Sequence, residues 1–194
     1  MKIRKKMGIL SILIGLGMIL YTLSCYLKVE TITKQPFLAK DSHVVFSPTQ
    51  FLKEGEKMGV ILMPKLEKTI SIYEGVSAEV LTKGAGHYPK SALPGENNNV
   101  VLSGHRDTFF RFLRDLKKND SLIIQTMEKE YEYKITKFSI VSPNDRTILT
   151  PKSRAVLTLT TCYPFSFIGH APKRYVVTAA LIHSEELGKN NRSE

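Results

Sequence analysis

The chain has 194 residues and carries 28 Lys and Arg against 18 Asp and Glu, a formal net charge of +10 at pH 7. A hydrophobic fraction of 42% with 9 Pro and 12 Gly excludes a disordered or collagen-like chain and fits one domain of ordinary size plus attachments. No basic stripe interleaved with aromatic residues is present, so the positive charge points to an anionic surface of lipid or wall polymer rather than to nucleic acid.

Residues 7–27, "MGILSILIGLGMILYTLSCYL", contain no charge. As a helix rising ~1.5 Å per residue, this stretch spans a hydrocarbon core of ~30 Å. Lys2, Arg4, Lys5 and Lys6 precede it. The positive-inside bias then makes residues 1–6 a cytoplasmic tip, 7–27 a transmembrane signal anchor, and everything after it extracellular. The apolar run exceeds the ~7–15 residues of a cleavable signal core, and no small-residue cleavage site follows. Thr22 stands where a lipoprotein would place leucine, three residues before Cys25. The expected location is the cell membrane, single-pass.

Residues 28–56, with Pro36 and Pro48 among mixed charges, read as a stalk. A domain over 57–185 follows, and 186–194 is a polar tail. Within the domain, "GVILMP" and "KTISIYE" read as two strands joined by a turn at 65–67. "SAEVLTKG" reads as a short helix capped by Gly84, and "GHYPKSALPGENN" as a loop. "NVVLSG" is a buried strand that ends at His105. "DTFFRFLRDLKKND" has the strongest helical period, with Asp107 as N-cap and Phe109, Phe112, Leu113 and Leu116 on one face. "SLIIQTM", "EYEYKITKFSIV", "RAVLTLTT" and "RYVVTAALI" add four strands. Many short strands with one or two short helices predict a mainly antiparallel β domain, a barrel or a sandwich.

The chain has two cysteines. Cys25 lies in the apolar segment and Cys162 outside it, so the two do not pair within one chain. No CxxC and no Cys/His zinc spacing occurs. A lone exported thiol oxidises, pairs between chains, stays buried as an inert hydrophobe, or acts as a nucleophile. The strand "LTLTTC" ends in Cys162, "VLSGH" ends in His105, and Arg174 opens another strand. Thiol, imidazole and guanidinium together supply a nucleophile, a proton donor and a partner for developing negative charge. His43, His87, His170 and His183 compete for the proton-transfer role, and residue spacing alone leaves a hydrolytic surface cysteine peptidase, a non-catalytic wall-binding module or a redox thiol open.

"TLTTC" at 158–162 followed by Arg174, "SGHRDTFF" at 103–110 and "GHYPKSALPGE" at 86–96 resemble the signatures of the sortases, cysteine transpeptidases of Gram-positive cell surfaces. The resemblance runs from Gly59 to Ile182. It implies an eight-stranded sortase-type β-barrel with one or two short helices, behind an N-terminal transmembrane helix. His105, Cys162 and Arg174 would be catalytic. The partners it implies are surface proteins with C-terminal LPxT-type sorting signals and a peptidoglycan amine. The signal is cut after its threonine, held as a thioester, and passed to the amine.

Departures from other sortase classes narrow the expectation. The chain has no Asp-Pro lid and no Trp, and only "SPNDRTILTPKS" precedes the cysteine strand. The run "CYPFSFIGHAPKRYVV" is most similar to class D, whose motif is LPxTA-like, with class A and LPxTG as runner-up. The family places the residue before the cysteine near the oxyanion, which assigns Thr161 there. Thr160, Thr161, Ala92, Leu93, Pro94, Val141 and Ile148 are the expected substrate-binding residues. Glu96 is the one acidic residue in the loop before the histidine strand, so no calcium site is expected, and no other metal or cofactor.

Overall fold

A computed structural model of the chain describes residues 15–23, 52–166 and 169–187. The chain divides into two units, Met1–Ala39 and Lys40–Glu194. In the first, residues 15–23 form a helix (α1) with every described side chain exposed. The rest of the expected anchor, 7–14 and 24–27, lies outside the described residues, as does most of the expected stalk. No helix among the described residues is long and apolar enough to cross a membrane.

Eight strands build the second unit. In chain order they are β1 (Lys57–Met63), β2 (Lys68–Glu74), β3 (Ala85–His87), β4 (Asn99–Ser103), β5 (Ser121–Gln125), β6 (Lys129–Val141), β7 (Val156–Tyr163) and β8 (Lys173–Glu186). They close into a barrel in the order β1-β2-β3-β4-β7-β8-β6-β5. Two of the eight pairings are parallel, β2 with β3 and β4 with β7. The last residues of the expected stalk join this unit. Leu52 packs on the core, Gly55 N–H donates to Glu74 O, and Glu74 N–H donates to Glu56 O.

Alternation along the strands decides which side chains fill the barrel. Val100 and Leu102 of β4, Leu157 and Leu159 of β7, and Val177 and Ala179 of β8 point into the core, fully buried. Burial of each large aliphatic side chain is worth about 1.5–3 kcal/mol. The intervening residues, Val101, Thr158, Thr160 and Val176, are also buried although they face outward. The segment 142–155, between β6 and β7, covers part of that outer face: Asn99 Nδ2 donates to Ile148 O and Thr150 O. "VLTLTT" thus reads as a continuous buried run rather than a polar–apolar alternation.

Three local expectations are corrected. The residues 107–120 do not form an α-helix but a 3₁₀ turn at Arg111–Asp115, with Phe110 rather than Asp107 at its start. Its buried side chains are Phe110, Leu113 and Leu116. These are spaced by three residues, the period of a 3₁₀ helix, where the expected face used the α spacing. Secondly, the helix α2 (Ala78–Leu81) forms with Ser77 as N-cap, but its C-cap is Thr82. Gly84 instead passes Ser71 O so closely that a Cβ there would lie 2.3 Å from it. Thirdly, the expected loop 86–98 begins as strand, since Gly86 and His87 belong to β3. The sheet is mainly antiparallel, as expected, and the parallel β4–β7 pairing matters most for the site.

Candidate active site

The β4–β7 ladder pairs Asn99 with Val156 and runs in step to Ser103 with Thr160. It continues past the end of β4. Gly104 N–H donates to Thr160 O at 3.2 Å, and Thr161 Oγ1 donates to Gly104 O at 2.7 Å, across 57 residues of sequence. His105 follows Gly104 directly, one residue beyond this last tie to β7. Gly104 is required at this point, because a Cβ there would lie 2.7 Å from the Phe110 ring.

On the other flank of β7, the antiparallel ladder pairs Cys162 directly with Arg174 of β8. The Arg174 guanidinium Nη1–H donates to Cys162 Sγ at 3.5 Å and reaches Lys173 O at 3.3 Å. One strand further, Val141 of β6 pairs with Arg174. His105, Cys162, Arg174 and Val141 therefore occupy one end of four neighbouring strands. Adjacent strands, rather than distant ones, bring these residues to the same end of the barrel. Parity also moves the site outside. Leu157 and Leu159 point inward, so Thr158, Thr160 and Cys162 line the outer wall, with Arg174 opposite the cysteine.

Both threonines before the cysteine are buried, but differently. The hydroxyl of Thr161, 3% exposed, is spent on Gly104 O and ties the histidine strand to the cysteine strand. It is not available to an oxyanion, which leaves only the main chain of Thr161 for that role. Thr160 Oγ1 is buried beside the thiol on the same outer face and has no hydrogen-bond partner. Ile148 sits in a 3₁₀ turn at Thr147–Leu149, held over the outer face further down the wall.

Ala92, Leu93 and Pro94 are not brought to the thiol. Ala92 N–H donates to Asn99 O, at the start of β4, and Gly95 N–H donates to the hydroxyl of Tyr133 at 3.0 Å. Asn99 lies six residues before His105, so at about 3.3 Å per residue these three sit about 20 Å along the barrel from the site. The loop that carries them closes the opposite end, with Ala92 in the core and Leu93 packed on it.

The competing histidines are also placed. His87 is 2% exposed, with Nδ1 2.7 Å from Glu74 Oε2 and Nε2 3.0 Å from both Ala92 O and Ser91 Oγ. Ser91 Oγ donates to Tyr88 O and accepts from Val101 N–H, so it offers His87 only a lone pair. Both ring nitrogens are thus committed to structure. His170 and His183 are exposed, and His183 pairs with Glu132 near the far end of β8. His43 lies outside the described residues.

Sequence reasoning missed Arg106, next to His105. Its guanidinium Nη2–H donates to Gly169 O at 3.0 Å and links the β4 exit to the β7–β8 connection. The adjacency of Arg106 to a strand-end histidine was the signal available for it.

A closed eight-stranded barrel that pairs a thiol with a guanidinium on its outer wall, next to a strand exit that carries a histidine, fits a cysteine-dependent group-transfer domain. A family model described as the sortase domain matches residues 61–182. Sortase D of Bacillus subtilis is 45% identical over 124 residues, 63% of each chain. Sortase SrtE1 of Streptomyces coelicolor is 32% identical over 137 residues, 61% of this chain and 39% of its own. The matches thus span less than two thirds of the length of these curated relatives. A Clostridium perfringens Sortase D5 transpeptidase has a solved structure that superposes with a TM-score of 0.63 at 30% identity, covering 70% of this chain and 84% of that one. The SrtA sortase of Actinomyces oris gives 0.65 at 27% identity, covering 75% and 89%. The chain belongs to the sortase family.

Proposed function

We propose that this sortase is a membrane-anchored extracellular cysteine transpeptidase that cuts an LPxTA-like sorting motif after its threonine and joins the new carboxyl end to a peptidoglycan amine. The observation that supports the reading best is the Arg174–Cys162 contact at 3.5 Å, with Gly104, the residue before His105, tied to Thr160 and Thr161 of the cysteine strand. The 45% identity to Sortase D supports the class D motif over LPxTG.

In this reading Cys162 Sγ attacks the threonine carbonyl of the motif. The C–N bond to the next residue breaks, and His105 gives the leaving amine its proton. The product is a thioester on Cys162. An incoming amine attacks the same carbonyl, His105 takes the amine proton, and the C–S bond breaks to leave an amide and a free thiol. Arg174, paired across from the sulfur, donates to the oxyanion formed in each step. Thr160 offers its unpartnered hydroxyl to the peptide, Val141 supplies apolar wall beside Arg174, and Ile148 lies further down the wall, toward the end of the peptide away from the thiol.

The test incubates the full chain with LPxTA and LPxTG peptides, with and without an added amine, and follows thioester and product by mass. The expected result is a thioester on Cys162 with both a transferred product and faster turnover of LPxTA. Cys162→Ala is expected to lose all turnover. Transfer by Cys162→Ala at the wild-type rate would overturn the mechanism. Hydrolysis that an amine never diverts would make the protein a surface cysteine peptidase, and a preference for LPxTG would move it to class A behaviour.

A further inference from the structure

The outer wall of β4 and β7 runs from Asn99 and Thr158, through Thr160, to His105 and Cys162. The segment 142–155 crosses its lower end, and its attachment there is unusual in kind. Most of its side chains are exposed or half-exposed, so little apolar packing fixes it. Polar bonds from two adjacent amides do so instead. Asn99 Nδ2 donates to Ile148 O at 2.8 Å and to Thr150 O at 3.3 Å, and its Oδ1 accepts from Thr158 Oγ1 at 2.7 Å. Asn98 Oδ1 accepts from Lys152 N–H at 2.9 Å.

Asn99 is 2% exposed, and the bonds to segment 142–155 and Thr158 use both its donor and its acceptor end. Its side chain leaves β4 on the same outer face as the thiol, six residues before His105, and does not reach the reacting atoms. An amide that grips two successive-turn carbonyls fixes height and angle of a segment while contributing little to total stability. That is the behaviour of a template rather than of a core.

We propose that Asn99 is a positioning residue for peptide recognition: by pinning residues 148–150 to the wall, it sets the gap in which the sorting peptide lies against Thr160. This inference rests on the transpeptidase reading above and adds to it the residue that shapes the peptide channel. Asn99→Asp is the discriminating change. The carboxylate keeps the size and still accepts from Thr158, but it faces the carbonyls of Ile148 and Thr150 with no hydrogen to donate. Thr158→Val removes the bond that orients the amide and leaves Asn99 itself intact.

In the full chain, Asn99→Asp is expected to raise KM for the preferred peptide about tenfold while kcat changes less than about threefold, the pattern of lost binding rather than lost chemistry. The rate of Cys162 alkylation is expected to stay at the wild-type value. Tryptic cleavage after Lys152 and Arg154 is expected to speed up in parallel, since the segment is no longer pinned. Thr158→Val is expected to act in the same direction with a smaller effect, and it decides the matter should Asn99→Asp fail to fold. Faster cleavage with unchanged KM would make the pin structural only and overturn the proposal. A fall in kcat together with slower alkylation would place the effect at the thiol and overturn it as well. These outcomes are read on a peptide that the wild type consumes. Wild-type turnover of neither LPxTA nor LPxTG overturns the motif assignment itself, and with it this proposal.

Discussion

Arg174 keeps its guanidinium in place through two acceptors, Cys162 Sγ and Lys173 O, both reached by the same Nη1. A planar fork spends one nitrogen on orientation and retains others for a substrate oxygen, which a point ammonium on a flexible stem does not reproduce. Arg174→Lys is therefore expected to lower kcat about a hundredfold in the transfer assay, with peptide KM nearly unchanged, as for loss of one oxyanion donor. Equal catalysis by the lysine variant would show that charge alone suffices. At this scale the sequence was informative, because Cys162, His105 and Arg174 each stand at a strand terminus where a side chain must leave the core. It was silent on Thr161. A β-branched residue next to the cysteine reads the same whether its hydroxyl points to a substrate or, as here, to Gly104 O.

The short strand β3 is held by a polar plug rather than by its length. Glu74 and His87 pair inside the barrel end, and the ring is closed off by Ala92 O and Ser91 Oγ. Truncation of His87 to alanine would leave the Glu74 carboxylate, 12% exposed, without its partner. The expected cost is about 3–5 kcal/mol in urea unfolding, and His87→Ala with Glu74→Gln should recover part of it. β3 read as the start of a loop, whereas the other strand positions were legible because apolar runs or a period of two mark the buried faces. Strand direction was not. Alternation says nothing about whether a neighbour runs parallel or antiparallel, and the β4–β7 pair is joined through a long crossover. The loop 88–98 misled for a related reason. Its apolar Ala92, Leu93 and Pro94 fill the far end of the barrel, and sequence proximity to the histidine strand does not fix which end a loop closes.

Three tyrosines of the barrel, Tyr131, Tyr133 and Tyr175, hold their protons more tightly than a free phenol. Burial pushes the Tyr133 phenol up from 10.0 to about 12, and burial also raises Tyr131 and Tyr175. A group whose pKa is higher folded than unfolded contributes its full stability below pH 10, and that contribution is lost as pH rises toward about 12. The urea midpoint of unfolding should fall across this window, and Tyr133→Phe should flatten the fall. An unaltered slope in that variant would assign the alkaline loss to other groups. The register between β4 and β7 has a different kind of consequence at this scale. The histidine strand and the cysteine strand are held together by pairing, across the 57-residue separation seen for Thr161 and Gly104. The surface segment 142–154, which joins β6 to β7 outside that ladder, can therefore lengthen, shorten or be exchanged without breaking the pairing itself. In the same way, one residue inserted inside β7 would turn the thiol to the opposite face. Evolution can thus redesign what the molecule grips while the chemistry stays in frame.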